Sequence, residues 1–116
     1  MAKVTIDPVE TPSQSIVRAA NQVITVADEI GRSIGIRKLG PLDRLKLFEV
    51  VGAENSKNEA YLGYASLAFH VQSIDGEPVP RPSTKLQLEA LVQRLDDSGI
   101  NAVAMGVAEH FMPQPE

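Results

Sequence analysis

Two histidines, two adjacent aspartates and one serine between glycines are the residues of this chain whose types could support chemistry. His70 sits in the apolar run "AYLGYASLAFHVQ" and His110 in a second, "INAVAMGVAEHF". A metal needs several imidazoles or carboxylates converging, and no Asp or Glu lies at a metal-motif spacing that takes in both rings. His70 is therefore expected as a partly buried ring, and His110 as a charge complementing a helix C-terminus. Asp96 and Asp97 stand directly before Ser98-Gly99 and read as a solvated helix end rather than an acid–base pair. "GRSIG", residues 31–35, has the outline of G-x-S-x-G. A nucleophile elbow needs a strand–turn–helix context, whereas this motif falls inside a hairpin pattern. The other glycines match neither a dinucleotide-binding nor a P-loop spacing. With no Cys, disulfides, thiolate metal sites and Cys nucleophiles are excluded. The sequence leads to an expectation of no enzyme, no cofactor and no metal.

Binding is the remaining kind of work. Tyr61, Tyr64, Met105 and Phe111 are amphipathic or adaptable groups of the type found at peptide-binding grooves, and they are the candidate partner-binding residues. Core packing is the alternative reading of all four. Only three Met occur, the first residue among them, so no Met-rich groove exists. The net charge of −4, with eleven scattered basic residues, argues against a nucleic-acid partner. No apolar run approaches the ~20 residues needed to span a bilayer. "MAKVTIDPVE" lacks the apolar stretch of a secretory signal, so a cytosolic location is expected.

The elements that must position these residues can be read from spacing. A chain of 116 residues has the size of one domain. Residues 1–20, with two Pro and no sustained period, read as an N-terminal arm, although Val4 and Ile6 alternate briefly as a strand does. Residues 21–111 read as a single α+β domain, mainly helical, and 112–116 as a frayed tail. "QVITVAD" and "SIGIRKL", separated by "DEIGR", predict a β-hairpin with Gly31 in its loop. In "IRKLGPLDRLKLFEVVG", Gly40 is expected as a cap, Pro41 as the first helical residue and Asp43 as the first-turn acid. Leu42, Leu45 and Phe48 form one stripe, widened by Leu47, Val50 and Val51. That girth predicts a helix covered on most sides, with Leu45 buried and Gly52 as the stop. Ser56 and Glu59 suggest a capping box for a second helix running through "AYLGYASLAFHVQ". Its small residues Ala60, Gly63, Ala65 and Ala68 would let a neighbouring helix approach closely. Asp75-Gly76 signals a tight turn and a very small hairpin, and three Pro stiffen the segment after that turn. Ser83 or Thr84 caps a third helix bearing Leu88, Leu91, Val92 and Leu95, ended by Gly99. Ile100, Val103, Ala104, Val107, Ala108 and Phe111 line a fourth.

The order of these signals resembles the tail assembly chaperones of long-tailed bacteriophages over roughly residues 22–110. The resemblance is carried by the hairpin, "IRKLGPLDRLKLFEVVG", the Ala-rich helix, "SIDGEPVPRPST" and "LEALVQRLDDSGINAVA". Its most particular element is a (V/I)-x-x-(I/L)-D-G-x-P-(V/I) segment between helices. All of these motifs are structural, and the arm is not covered. The resemblance implies a small, acidic, mostly helical protein of the host cytoplasm. Such proteins bind the long, hydrophobic tape measure protein and keep it soluble until tail-tube subunits polymerise around it. The tail tube protein and a second copy of the chain are further implied partners. Many members also have a longer form made by ribosomal frameshifting. The alternative reading is a structural virion subunit, such as a head–tail completion or tail-terminator protein.

Overall fold

The β-branched run after Gln22 forms the first strand of the fold. The structure is a computed structural model describing residues 11–15 and 22–111. Most of the expected arm, including Val4 and Ile6, and the tail at 112–116 lie outside the described residues. Residues 12–15 form one helical turn, in which the Thr11 Oγ1 accepts from Gln14 N and the Gln14 Oε1 accepts from Thr11 N.

β1 (Val23–Ala27) and β2 (Ser33–Arg37) pair antiparallel through Asp28–Arg32, with Gly31 at φ +90°. β3 (Val71–Ile74) pairs with β2, and β4 (Glu77–Pro78) with β3, giving a four-stranded antiparallel sheet in sequential order. The small hairpin turns on Asp75 and Gly76, both at positive φ (52° and 83°), as its tight connection requires. Between β2 and β3, Gly35 opposes Ser73 and Ile36 opposes Val71, so Gln72 is bulged out. At Gly35 a Cβ would stand 2.4 Å from the Ser73 Oγ and 3.3 Å from Val23 Cγ1, so a side chain there would require the Ser73 hydroxyl to turn away.

Beyond the helical turn at residues 12–15, three α-helices among the described residues accompany the sheet: α1 (Pro41–Val51), α2 (Glu59–His70) and α3 (Lys85–His110). α3 carries a non-helical residue, Asp96 (φ 56°, ψ −173°), that divides it into segments 85–95 and 97–110. Four helical segments thus pack with the sheet, the α+β arrangement expected. The break comes at Asp96 instead of Gly99, which lies buried within the second segment. Caps follow the sequence at α1: Gly40 N donates to the Asp43 Oδ2 (2.8 Å), and Gly52 ends the helix at φ +86°. At α3 the cap is Thr84, whose Oγ1 accepts from Gln87 N, while Gln87 reaches back to Ser83 N. At α2 the expected Ser56–Glu59 box does not form. Asn58 caps instead, accepting from Ala60 N and Tyr61 N, and Ser56 lies in a 3-10 turn (Asn55–Lys57), donating to the Gly52 carbonyl. α2 also stops at His70, because Val71 onwards is claimed by the sheet.

The core joins Ile34 and Ile36 of the sheet, both 0% exposed, to Phe69 of α2 and Leu88, Leu95 and Val103 of α3. Leu47 and Val51 are the α1 residues that enter it. The stripe expected to be buried does the opposite: Leu42 is 65%, Leu45 67% and Phe48 47% exposed. α1 is apolar around most of its girth, so its period could not say which side faces inward. The second segment of α3 buries Ile100, Val103 and Val107 as expected, and its contact face extends past them. Gly99, Ala102 and Gly106 are buried beside Ile100, Val103 and Val107, while Ala108 is exposed. The reason is close approach: a Cβ at Gly106 would stand 2.7 Å from Val26 Cγ1 and 2.9 Å from Ile36 Cδ1.

The hairpin turn and the α3 break are tied together by Arg32. Its Nε donates to the Asp28 Oδ2 (2.6 Å), its Nη1 to the Arg94 carbonyl (2.9 Å) and its Nη2 to the Leu95 carbonyl (2.6 Å). A guanidinium thus satisfies orphan carbonyls at the end of segment 85–95, where the helix dipole also favours a cation. Burial pushes the Asp28 carboxyl's pKa up, but the hydrogen bonds and charge of Arg32 outweigh that and hold it below the ordinary value.

Candidate partner-binding surface

α2 and the first segment of α3 lie side by side and leave a shallow apolar cleft. Tyr61 and Tyr64, three residues apart on α2, line it opposite Leu88, Glu89 and Val92, with Ala65 at its base. Ala65 and Ala68 of the small-residue set are buried, while Ala60 and Gly63 are exposed, so only the last two turns of α2 make the close contact. The cleft holds about 160 Å³. That is less than the ~300–1,000 Å³ of a small-molecule site and suits one inserted side chain. Tyr61 is partly buried, and its hydroxyl donates to the Glu89 Oε2 (3.0 Å), while the Lys85 ammonium lies 6.0 Å from the ring centre. Burial, then the Glu89 carboxylate, pushes the Tyr61 pKa above its ordinary value, so the phenol stays a donor. Tyr64 is 51% exposed and carries no fixed polar contact among the described residues.

The other two candidate residues stand elsewhere. Phe111 closes α3 and stacks on His70, with ring centroids 6.1 Å apart and planes at 10°. It faces a second cleft with Leu39, Arg44 and Val107. Met105 is 71% exposed and lines neither cleft. The structure therefore brings Tyr61 and Tyr64 together and leaves Met105 and Phe111 at separate places.

His70 is a buried ring, as expected. Its Nδ1 lies 2.8 Å from the Ser66 carbonyl, an acceptor only, so in the neutral ring that nitrogen carries the proton. Burial lowers the His70 pKa, helped by the positive charges of Arg81 and Arg44, while the Ser66 bond and Asp43 oppose the shift. His110 is exposed. Among the described residues no three His, Asp or Glu side chains gather as a metal site, and no helix is long and apolar enough to cross a membrane. Ser33 of "GRSIG" is in β2, its backbone N–H bonded to the Asp75 carboxylate.

The largest feature that spacing misplaced is the outer face of α1. Leu42, Leu45 and Phe48 present three large apolar groups to solvent on one side of an 11-residue helix. Their i, i+3, i+6 spacing was visible, but so was an equally apolar opposite side. Exposed apolar groups concentrated on one helix face mark an interaction surface more often than scattered ones do. Comparison of the chain with protein-family models, curated proteins and solved structures found no match.

Proposed function

We propose that this protein is a non-catalytic binding protein that covers apolar stripes of a helical client, acting as a tail assembly chaperone on a phage tape measure protein in the host cytoplasm. The observation that carries the binding part is the uncovered face of α1: Leu42, Leu45 and Phe48 lie on the surface although each is large and apolar. The Tyr61–Tyr64 cleft supports it, being sized for a single anchoring side chain. The tail-assembly part rests on the order of sequence elements, above all "VQSIDGEPV", which here builds the β3–β4 hairpin. A long amphipathic client exposes stripes that self-associate unless covered, and a domain with surplus apolar surface can cover them.

Co-expression with a tape measure protein from the same genome should keep that client soluble, and the two should co-purify. Phe48→Glu and Tyr64→Glu should each weaken the complex without changing circular dichroism, because both positions are exposed. A client that stays insoluble, together with this protein appearing in multiple copies in purified virions, would favour a structural tail or head–tail subunit instead.

A further inference from the structure

Positive side chains gather around His70 in this acidic chain. Two clefts share that ring. One is lined by Lys38, Arg44 and Phe111, with Leu39 and Val107 as apolar floor; the other by Arg37, Arg81 and Val79. Neither lining includes an Asp or a Glu. Arg37, Lys38 and Arg44 have no carboxylate partner among the described residues, whereas Arg81 is bonded to Asp43 and to the Phe69 carbonyl (3.4 Å). Arg81 also lies 5.6 Å from the Phe69 ring centre, so it is held in place on two sides. Asp43 is the carboxylate that acts on His70 here, and it is engaged by Arg81, so Arg37, Lys38 and Arg44 leave an excess of positive charge that raises the local potential for an incoming anion.

This basic cleft is continuous with the exposed stripe. Arg44 is on α1, and Phe48 stands one turn further along the same edge, neighbouring it at i, i+4 spacing. Lys46 lies past the opposite edge and pairs at 3.9 Å with Glu49, which stands next to Leu45 at i, i+4 spacing. A partner lying along α1 would therefore meet Leu45 and Phe48 in the middle and Arg44, Lys38 and Arg37 on one flank.

We propose that the two clefts that share His70, one with Lys38 and Arg44 and the other with Arg37, and the Leu45–Phe48 edge of α1 form one docking site for an acidic amphipathic helix of a partner protein. Its apolar stripe covers Leu45 and Phe48, and its Asp and Glu side chains enter the clefts beside His70. The charge pattern argues for that occupant over an apolar helix of neutral or basic flank: complementary potential speeds the encounter and fixes the orientation. A mixed floor of Leu39, Val107 and Phe111 favours a peptide over a free inorganic anion, which would leave those groups uncovered. The inference rests on the reading of the α1 face as a binding surface, but not on the tail-assembly assignment: failure of a tape measure protein to co-purify leaves it standing, whereas equal binding of the two peptides does not.

The test uses fluorescein-labelled peptides of about five helical turns with Leu at i, i+3, i+4 and i+7. One carries Glu on both flanks and its counterpart carries Lys. Fluorescence anisotropy against the full chain should show binding of the Glu peptide, about tenfold weaker or less for the Lys peptide. Raising NaCl to about 0.5 M should weaken the Glu complex, because rim charges are screened. Lys38→Glu with Arg44→Glu, both exposed and unpaired, should reduce Glu-peptide affinity by about tenfold with circular dichroism unchanged. Equal binding of the two peptides, or binding of neither, overturns the proposal. So does tighter binding of a single-stranded DNA oligonucleotide that the same double substitution abolishes, which would make the cleft a phosphate site. The salt dependence of the unsubstituted protein decides the matter should the double variant fail to fold.

Discussion

α1 and the second segment of α3 are two helices of similar apolar content with opposite fates. In α3, Ile100, Val103 and Val107 are buried under the sheet; in α1, Leu42, Leu45 and Phe48 face solvent. The contrast comes from what each helix meets. Segment 97–110 crosses β1 and β2, and Gly106 lets its backbone come within contact of Val26 and Ile36. α1 meets the core through Leu47 and Val51, with Val50 half-buried against it, a narrow seam that Leu42, Leu45 and Phe48 do not share. Apolar content alone therefore does not decide burial. The close-approach residues of a helix decide which face is drawn in, and a helix without them keeps surplus apolar surface for a partner.

The largest effect that sharpens this comparison should come from the core side of α3. Leu95→Ala empties a site that is 0% exposed, and should cost roughly 2–5 kcal/mol in urea unfolding. Next is Gly106→Ala. Overpacking against Val26 and Ile36 costs about 1–3 kcal/mol, of which the better helix propensity of Ala returns about 1. A Gly106→Ala protein more stable than the parent would mean that the helix can lift from the sheet freely, and the proposed cause of the contrast would fall.

His70 supplies a smaller, pH-dependent effect. Its folded pKa is lowered below the ordinary 6.5 by burial first and by Arg81 and Arg44 after it. The unfolded chain therefore takes up a proton that the folded chain resists, so this contribution to stability is present above about 6.5 and is lost as pH falls toward the folded value. Urea midpoints of the parent should decline across that window, and the decline should be shallower in His70→Gln. Equal slopes in the two proteins would assign the pH dependence to other groups.

The smallest expected effect is on the outer face of α1. Leu45→Ala should change stability by no more than about 0.5 kcal/mol, because an exposed side chain loses little on truncation. A loss as large as that of Leu95→Ala would show that the stripe is covered in solution, with self-association detectable by analytical ultracentrifugation.

Much of the local structure was legible in the sequence. The hairpin around Gly31, the Gly40-Pro41 start, the Gly52 stop, the Asp75-Gly76 turn and the Thr84 cap each depend on a backbone requirement that a residue type either meets or fails. The Leu88, Leu91 and Leu95 face was also readable from its i, i+3, i+7 spacing, which leaves Leu86 outside it, 78% exposed. Legibility ended where two readings satisfied the same local rule. Ser56 was expected as the cap of α2, but Asn58, two residues later, takes that place, and Ser56 belongs to the 3-10 turn. Val71 and Gln72 were expected to continue the helix, but pairing with β2 made them strand.

For the candidate site, Tyr61 and Tyr64 were found from residue type and spacing, and they do share one cleft. Met105 and Phe111 were grouped with them by type alone, and the turn of α3 sent them apart. The basic cleft around His70 gave no signal in the chain order, since Arg37, Lys38, Arg44 and Arg81 come from three separate stretches. By itself the sequence determined where elements start, stop and turn, because those are short-range demands of backbone hydrogen bonding and φ. Only the tertiary structure decided which apolar face is buried and which charges converge, because both depend on surfaces supplied by residues distant in the chain.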